Sequence, residues 1–352
     1  MNIQAHQFQK LILEWFDLNG RKHLPWQQNK NPYRVWVSEI MLQQTQVQTV
    51  IDYFQRFMQH FPDLQTLAQA PEDDVLYLWA GLGYYSRARM LHRAAKIIAT
   101  QHQYHFPDNL DDLKNIPGIG PSTAGAILAI AFNKPATILD GNVKRVLSRL
   151  HAIKTPINDK NTEKKLWELA ISYTPTNRVA DYTQAMMDIG ATLCTRQQPN
   201  CPSCPFKHFC QAHRDDIVNQ LPIKKTTVAL PKRAATFLII KHNKDILLVK
   251  RPPTGIWSSL WCFPEIAGKP DKETIKLFCQ QQLGQTLTQY QVLKDFKHTF
   301  THYHLQIYPI LLETSKKIKK IAAETQIWYN LANPQRLGLP KPIQKILGEI
   351  DK

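Results

Sequence analysis

Over the first 215 residues, apolar positions recur at three- and four-residue steps. Phe8, Leu11, Ile12, Trp15 and Phe16 share one face of a helix over residues 4–18. Asn31-Pro32 supplies a cap and then a proline at the first helical position, which predicts a helix over residues 32–42. The polar tetrad Gln43-Gln44-Thr45-Gln46 interrupts it, and a second helix resumes at Val47 with Val50, Ile51, Phe54, Phe57 and Met58. Residues 72–100 predict helices on either side of a loop over residues 81–87. A helix ending near Ile116 gives way to the turn Pro117-Gly118-Ile119-Gly120, and Pro121 opens the next. Asp140 heads another helix, and residues 162–193 continue in the same period. Beyond residue 232 the period changes to two: residues 235–240 and 246–249 form a hairpin around Asn243-Lys244-Asp245. A helix over 273–283, strands over 295–312 and a short terminal helix follow. The pattern predicts a mainly α domain over residues 1–215, a linker over 216–232 and an α+β domain over 233–352.

Charge narrows the partner. Lysine and arginine number 44 against 28 acidic residues, a net charge of +16. An excess of that size points to a polyanion, and the chain lacks the basic amphipathic anchor of a membrane binder. No apolar run approaches the roughly 18–20 residues of a membrane span, and the polar residues near the N-terminus do not suit a signal peptide. The expectation is a protein of the reducing cytoplasm, acting on nucleic acid. Lys316–Lys320 reads first as a solvated turn and secondarily as a phosphate contact.

Four of the six cysteines lie within seventeen residues, as Cys194-x6-Cys201-x2-Cys204-x5-Cys210. So short and polar a loop cannot build its own core, and four thiolates on one centre would hold it. A structural zinc uses such residues, commonly in two C-x2-C pairs. Only Cys201 and Cys204 have that step here, and the 6-2-5 spacing also suits one iron–sulfur cubane. Cys262 and Cys279 stand apart and are expected to be buried and inert.

Several further residues carry candidate chemistry. Glu39 sits among Val35, Trp36 and Gln43, and a carboxyl on an apolar face is pushed toward its neutral form. That is what a general acid at neutral pH requires. Asp140 is either a simple N-cap or a second carboxylate near the first. The tetrad is either a solvated turn or a probe able to meet base edges. Leu82 and Tyr84, flanked by Gly81 and Gly83, are either core residues or a wedge between base steps. The glycines of PGIG, at a helix N-terminus, let backbone N–H groups approach a phosphate.

Taken together, IPGIG, the aspartate in LDGNVKRV and the 6-2-5 cysteine loop resemble the endonuclease III superfamily of helix-hairpin-helix DNA glycosylases. Within it, VWVSEIMLQQTQV is similar to the MutY family of adenine DNA glycosylases, and the C-terminal stretch to the Nudix-like domain those enzymes carry. The resemblance spans essentially the whole chain. It implies a monomeric base-excision repair enzyme with one [4Fe–4S] cluster on the four cysteines, acting on bacterial-type chromosomal DNA containing A:8-oxoguanine or A:G mispairs.

Carried onto this chain, the resemblance makes Glu39 the acid that protonates adenine and Asp140 the stabiliser of the cationic sugar, with Asn142 orienting the site. Trp26, Leu42, Val47 and Gln184 would line the pocket for the flipped base. Gln44, Thr45, Leu82 and Tyr84 would contact the opposite 8-oxoguanine. Gly118, Gly120, Arg196 and Lys207 would hold the DNA backbone. Members that also nick DNA place a Schiff-base lysine two residues after the hairpin's last glycine, where this chain has Ser122. A monofunctional glycosylase leaving an abasic site is therefore expected.

In the C-terminal domain the helix KETIKLFCQQQLG offers Glu273 alone where Nudix hydrolases cluster glutamates, so no Mg²⁺-dependent pyrophosphatase is expected. The family's 8-oxoguanine-reading loop, usually Phe-Ser-His, is here Phe300-Thr301-His302. Two other readings compete: an endonuclease III-like enzyme for oxidised pyrimidines, and a non-catalytic DNA binder using its cluster as a redox sensor.

Overall fold

The computed structural model describes residues 3–223, 229–283, 287–317 and 325–350. Two compact units form: residues 1–69 with 90–227, and residues 70–89 with 228–352.

The first unit is helical. It contains α1 (Ala5–Asn19), α2 (Pro32–Leu42), α3 (Val47–His60) and α4 (Leu64–Gln69). After α5 (Glu72–Trp79), α6 (Tyr85–Gln101) leads back into it. Then come α7 (Leu110–Asn115), α8 (Pro121–Ala131), α9 (Gly141–Leu150), α10 (Lys160–Tyr173), α11 (Val179–Thr192) and the single turn α12 (Gln211–Arg214). The start signals operate as expected: Asn31 Oδ1 accepts from Arg34 N at 2.9 Å, and Asp140 Oδ1 accepts from Val143 N at 2.8 Å.

Helix α8 is the axis of this unit. Residues 123–130 are all buried, as expected for a helix apolar on every side. It packs against α2, α7 and α11. Gly125 permits this, because a Cβ there would lie 2.2 Å from the Thr137 carbonyl oxygen. Phe8 of α1 stacks between Tyr173 of α10 (4.2 Å between centroids) and Phe206 of the cysteine loop (4.4 Å). The loop that cannot build its own core thus borrows one through Phe206.

The second unit holds β1 (Lys232–His242), β2 (Asp245–Lys250), β3 (Trp261–Cys262) and β4 (Glu265–Ala267). They are followed by α13 (Lys272–Leu283), β5 (Leu287–Val292), β6 (Phe296–Thr299), β7 (His304–Thr314), β8 (Gln326–Asn330) and α14 (Lys341–Ile350). Among the described residues the strands form one mixed sheet ordered β3-β2-β1-β7-β5. β1 and β7 run parallel from Lys232↔His304 to Lys241↔Glu313. Period-two alternation divides β1 between two cores: Phe237 and Ile239 face α14, while Leu238 and Ile240 face α13. Burial on both faces explains the continuous apolar run of that strand. Cys262 and Cys279 are fully buried.

The segment 70–89 belongs with this sheet. Asp73 accepts from Lys250 Nζ and from Trp261 Nε1, both at 3.0 Å, and Tyr85 donates its hydroxyl to the Leu339 carbonyl at 3.1 Å. Residues 224–228 of the expected linker and residues 318–324, including part of the lysine run, lie outside the described residues.

Candidate active site

In the helical unit, several helix ends open onto a cleft of about 820 Å³. The end of α2 brings Glu39 and Leu42, and the following link brings Gln44 and Thr45. The starts of α3, α8 and α9 bring Val47, Ser122, Asp140 and Asn142. Helix α11 contributes Gln184, and Trp26 and Arg196 come from loops. The link can turn so sharply because Gln44 adopts a left-handed conformation, with φ of 56°. Helices α3, α8 and α9 begin at the cleft, so their N-terminal dipole ends favour an anionic ligand there.

Electrostatics separates the two carboxyls. Glu39 keeps some exposure to the cleft, but desolvation dominates and the Asp140 charge adds to it, pushing its pKa up to about 8. Burial raises Asp140 as well. It is opposed by the Val143 N–H, by Asn142 Nδ2 at 3.1 Å and by the Arg145 charge, all favouring the ionised form. Burial thus pushes Glu39 toward the neutral form that can donate a proton, while Asp140, raised by burial too, has hydrogen-bond donors and an arginine that favour its ionised form. That pairing can cleave a glycosidic bond through a cationic sugar.

Arg145, which no sequence motif marks as a site residue, ties this site together. Its Nη2 donates to Asn142 Oδ1 at 2.8 Å and to the Gly190 carbonyl at 2.7 Å, and its Nε to the Cys194 carbonyl at 2.7 Å. One turn on, the buried Arg149 donates to the carbonyls of Thr195 (2.7 Å) and Leu221 (3.0 Å). The i, i+4 spacing of two arginines in GNVKRVLSRL is the one signal that could have found them. Arg21, Thr123 and Met187 also line the cleft. Single residues of this kind carry no motif, so only the fold reveals them.

Cys194, Cys201, Cys204 and Cys210 border one small cavity with Arg149 and Lys207. All four are free thiols. Burial pushes Cys204 up to about 12, and thiolate neighbours add to it. Four neighbouring thiols so placed would become thiolates only on a cationic centre that displaces their protons, and the donor set fits one.

In the helix-hairpin-helix turn, Gly118 has φ of 83°, a conformation costly for other residues. A Cβ there would also approach Met90 Cβ to 2.9 Å. At Gly120 a Cβ would meet no protein atom within 4 Å, so the space above it is free for a ligand. Ser122 accepts from the Leu139 N–H at 3.1 Å. No lysine is among the described residues that line the cleft.

The remaining predicted residues belong to the second unit. Leu82 is buried, whereas Tyr84 is exposed, with φ of 48°. Phe300-Thr301-His302 forms the tip between β6 and β7, closed by the Phe300 N–H on the Tyr303 carbonyl at 2.9 Å. Phe300 packs on Trp257 (5.1 Å), His298 (4.6 Å) and Tyr303 (4.7 Å), and the exposed Thr301 and His302 stand beside that aromatic cluster. Glu273 of α13 is paired with Lys276 at 2.8 Å.

A hairpin ahead of a buried helix, opening on a cleft with two carboxyls, defines a helix-hairpin-helix DNA glycosylase. Residues 37–171 match the HhH-GPD superfamily of base excision DNA repair proteins, and residues 235–349 match the NUDIX domain. A thermostable thymine-DNA glycosylase aligns over 60% of this chain and 97% of its own, with a TM-score of 0.54 and 24% identity. Endonuclease III in a non-covalent DNA complex aligns with a TM-score of 0.51 and 21% identity, over 61% of this chain and 99% of its own. These two likenesses concern the fold. The adenine DNA glycosylase of Buchnera aphidicola (subspecies Acyrthosiphon pisum) is 43% identical over 347 residues, covering 98% of both chains. The human adenine DNA glycosylase is 34% identical, covering 87% of this chain and 67% of its own. The chain belongs to the adenine DNA glycosylase family: it is a base-excision repair enzyme that removes adenine from DNA.

Proposed function

We propose that the enzyme excises adenine paired with 8-oxoguanine, or with guanine, in double-stranded DNA and leaves an abasic site without cutting the strand. The observation that carries the reading is the pair of carboxyls lining one cleft: Glu39, which burial pushes up to about 8, and Asp140, which accepts from the Val143 N–H and from Asn142 Nδ2. Adenine leaves poorly as an anion. Glu39 donates its proton to a ring nitrogen of the flipped base, so that the C1′–N9 bond breaks with neutral adenine departing. Asp140 balances the positive charge on the sugar until water adds to C1′ and gives its proton to the Glu39 carboxylate, which restores the acid. Asn142 and Arg145 keep the Asp140 carboxylate aimed. Trp26, Leu42, Val47 and Gln184 enclose the base, and Gln44 and Thr45 enter the gap it leaves. Ser122 at the position of the Schiff-base lysine, in a cleft whose described lining has arginines and no lysine, favours hydrolysis over Schiff-base nicking.

The opposite base is read by Thr301 and His302, whose exposed hydrogen-bonding groups stand on the Phe300 aromatic cluster, with the exposed Tyr84 as a further contact; Leu82, being buried, packs in the core instead. Gly118, Gly120, Arg196 and Lys207 take the phosphate backbone. The four cysteines hold one [4Fe–4S] cluster. They border one cavity, and their 6-2-5 spacing suits one polynuclear centre better than the paired C-x2-C steps of a structural zinc. When bound, that cluster supplies a structural crosslink. The working unit is a monomer.

Glu39→Gln tests the assignment on a duplex carrying A opposite 8-oxoguanine. Single-turnover excision should fall by about 10²–10⁴-fold while duplex affinity stays within a factor of two or three. Excision at the wild-type rate would remove Glu39 from the chemistry.

A further inference from the structure

We propose that Asp188, behind the cleft wall, is a positioning residue that fixes the amide orientation of Gln184 and thereby selects a purine with an exocyclic amine. The proposal rests on the adenine-binding reading of the cleft.

Asp188 lies one helical turn beyond Gln184 on α11, and its side chain is fully buried. A buried carboxylate is tolerated only when its lone pairs are taken up. Here Oδ2 accepts from the Arg21 backbone N–H at 2.8 Å. Oδ1 accepts from Arg21 Nε (2.9 Å), Arg21 Nη2 (2.8 Å) and Gln184 Nε2 (2.7 Å). With four N–H donors converging on its two oxygens, Asp188 meets Gln184 as an acceptor.

The consequence falls on Gln184. Its amide could in principle show the cleft either a donor or an acceptor. Asp188 requires the NH₂ group on its own side, which turns the carbonyl oxygen away. Gln27 Nε2 donates to that oxygen; its amide can turn either way, so it follows the orientation that Asp188 sets. One lone pair of the oxygen remains, and Gln184 lines the cleft. The cleft is therefore presented with an acceptor. A 6-amino purine can donate to it, whereas a 6-oxo purine would set oxygen against oxygen. A wall built for one hydrogen bond rejects the base that cannot make it.

The test compares wild type, Asp188→Leu, Gln184→Met and the double variant. Each is assayed by single-turnover excision of adenine or hypoxanthine opposite 8-oxoguanine, with melting curves to establish folding. Leucine is close in size and has no hydrogen-bonding group, so Asp188→Leu removes the acceptor that dictates the amide's orientation; asparagine would keep an oxygen at the Oδ1 position, where three donors converge. Asp188→Leu should lower the adenine-to-hypoxanthine rate ratio by about 10-fold or more. Gln184→Met should lower the ratio comparably, and the double variant should lower it no further, because Asp188 acts through Gln184. A folded Asp188→Leu protein with the wild-type ratio, or additive losses in the double variant, would overturn the proposal. If Asp188→Leu does not fold, a wild-type ratio in Gln184→Met overturns it alone. A wild-type enzyme that fails to excise adenine would instead refute the underlying reading.

Discussion

At Glu39 the surroundings of one side chain determine what the protein can do. Its pKa near 8 means that the proton needed by the leaving base is in place at neutral pH and is lost above it. The single-turnover rate should fall on the alkaline side with an apparent pKa near 8, and a flat profile from pH 7 to 9 would contradict the role. Stability follows the same shift. Ionising Glu39 is harder in the folded state than at its ordinary value of 4.5, so this stabilising preference is complete below pH 4.5 and lost as pH rises through 8. Glu39→Gln should therefore melt higher than wild type at pH 8, with the gap closing toward pH 4.5. The sequence exposed this residue because a glutamate with Val35 and Trp36 one turn back, on an otherwise apolar face, is chemically conspicuous. It hid Arg21, Arg145 and Asp188, since ordinary charged residues become informative only when the fold brings distant segments together.

Helix boundaries were legible because caps act locally. Asn31-Pro32, Pro121 and Asp140 mark the starts of α2, α8 and α9 in the sequence and in space. The packing between helices was not legible, because it depends on pairs far apart in the chain. Gly190 of α11 is such a case: a Cβ there would lie 2.5 Å from Asn142 Cβ. Gly190→Ala should push the start of α9 away and cost about 1–3 kcal/mol of stability. Excision should fall by a larger factor than the loss of folded protein explains, since Asn142 and Asp140 move together. Unchanged kinetics in a merely less stable variant would separate α9 from the chemistry. Strand order was equally hidden. Alternation identified β1 as a strand, but not its parallel pairing with β7 or the attachment of residues 70–89 to the sheet.

For the whole molecule, a net charge of +16 makes DNA affinity an electrostatic quantity. Engaging about six phosphates would weaken binding about a thousandfold between 50 and 200 mM salt. A salt-insensitive Kd would show that charge does not govern the encounter. The central claim concerns which base leaves, opposite which partner, and what happens to the strand. Single-turnover reactions with duplexes carrying A opposite 8-oxoguanine, guanine or cytosine, and thymine glycol opposite A, each with and without hot alkali, test all three. The account predicts that the A strand opposite 8-oxoguanine breaks fastest, and only after alkali. Cleavage at thymine glycol without alkali, or equal excision of A opposite cytosine, would contradict it.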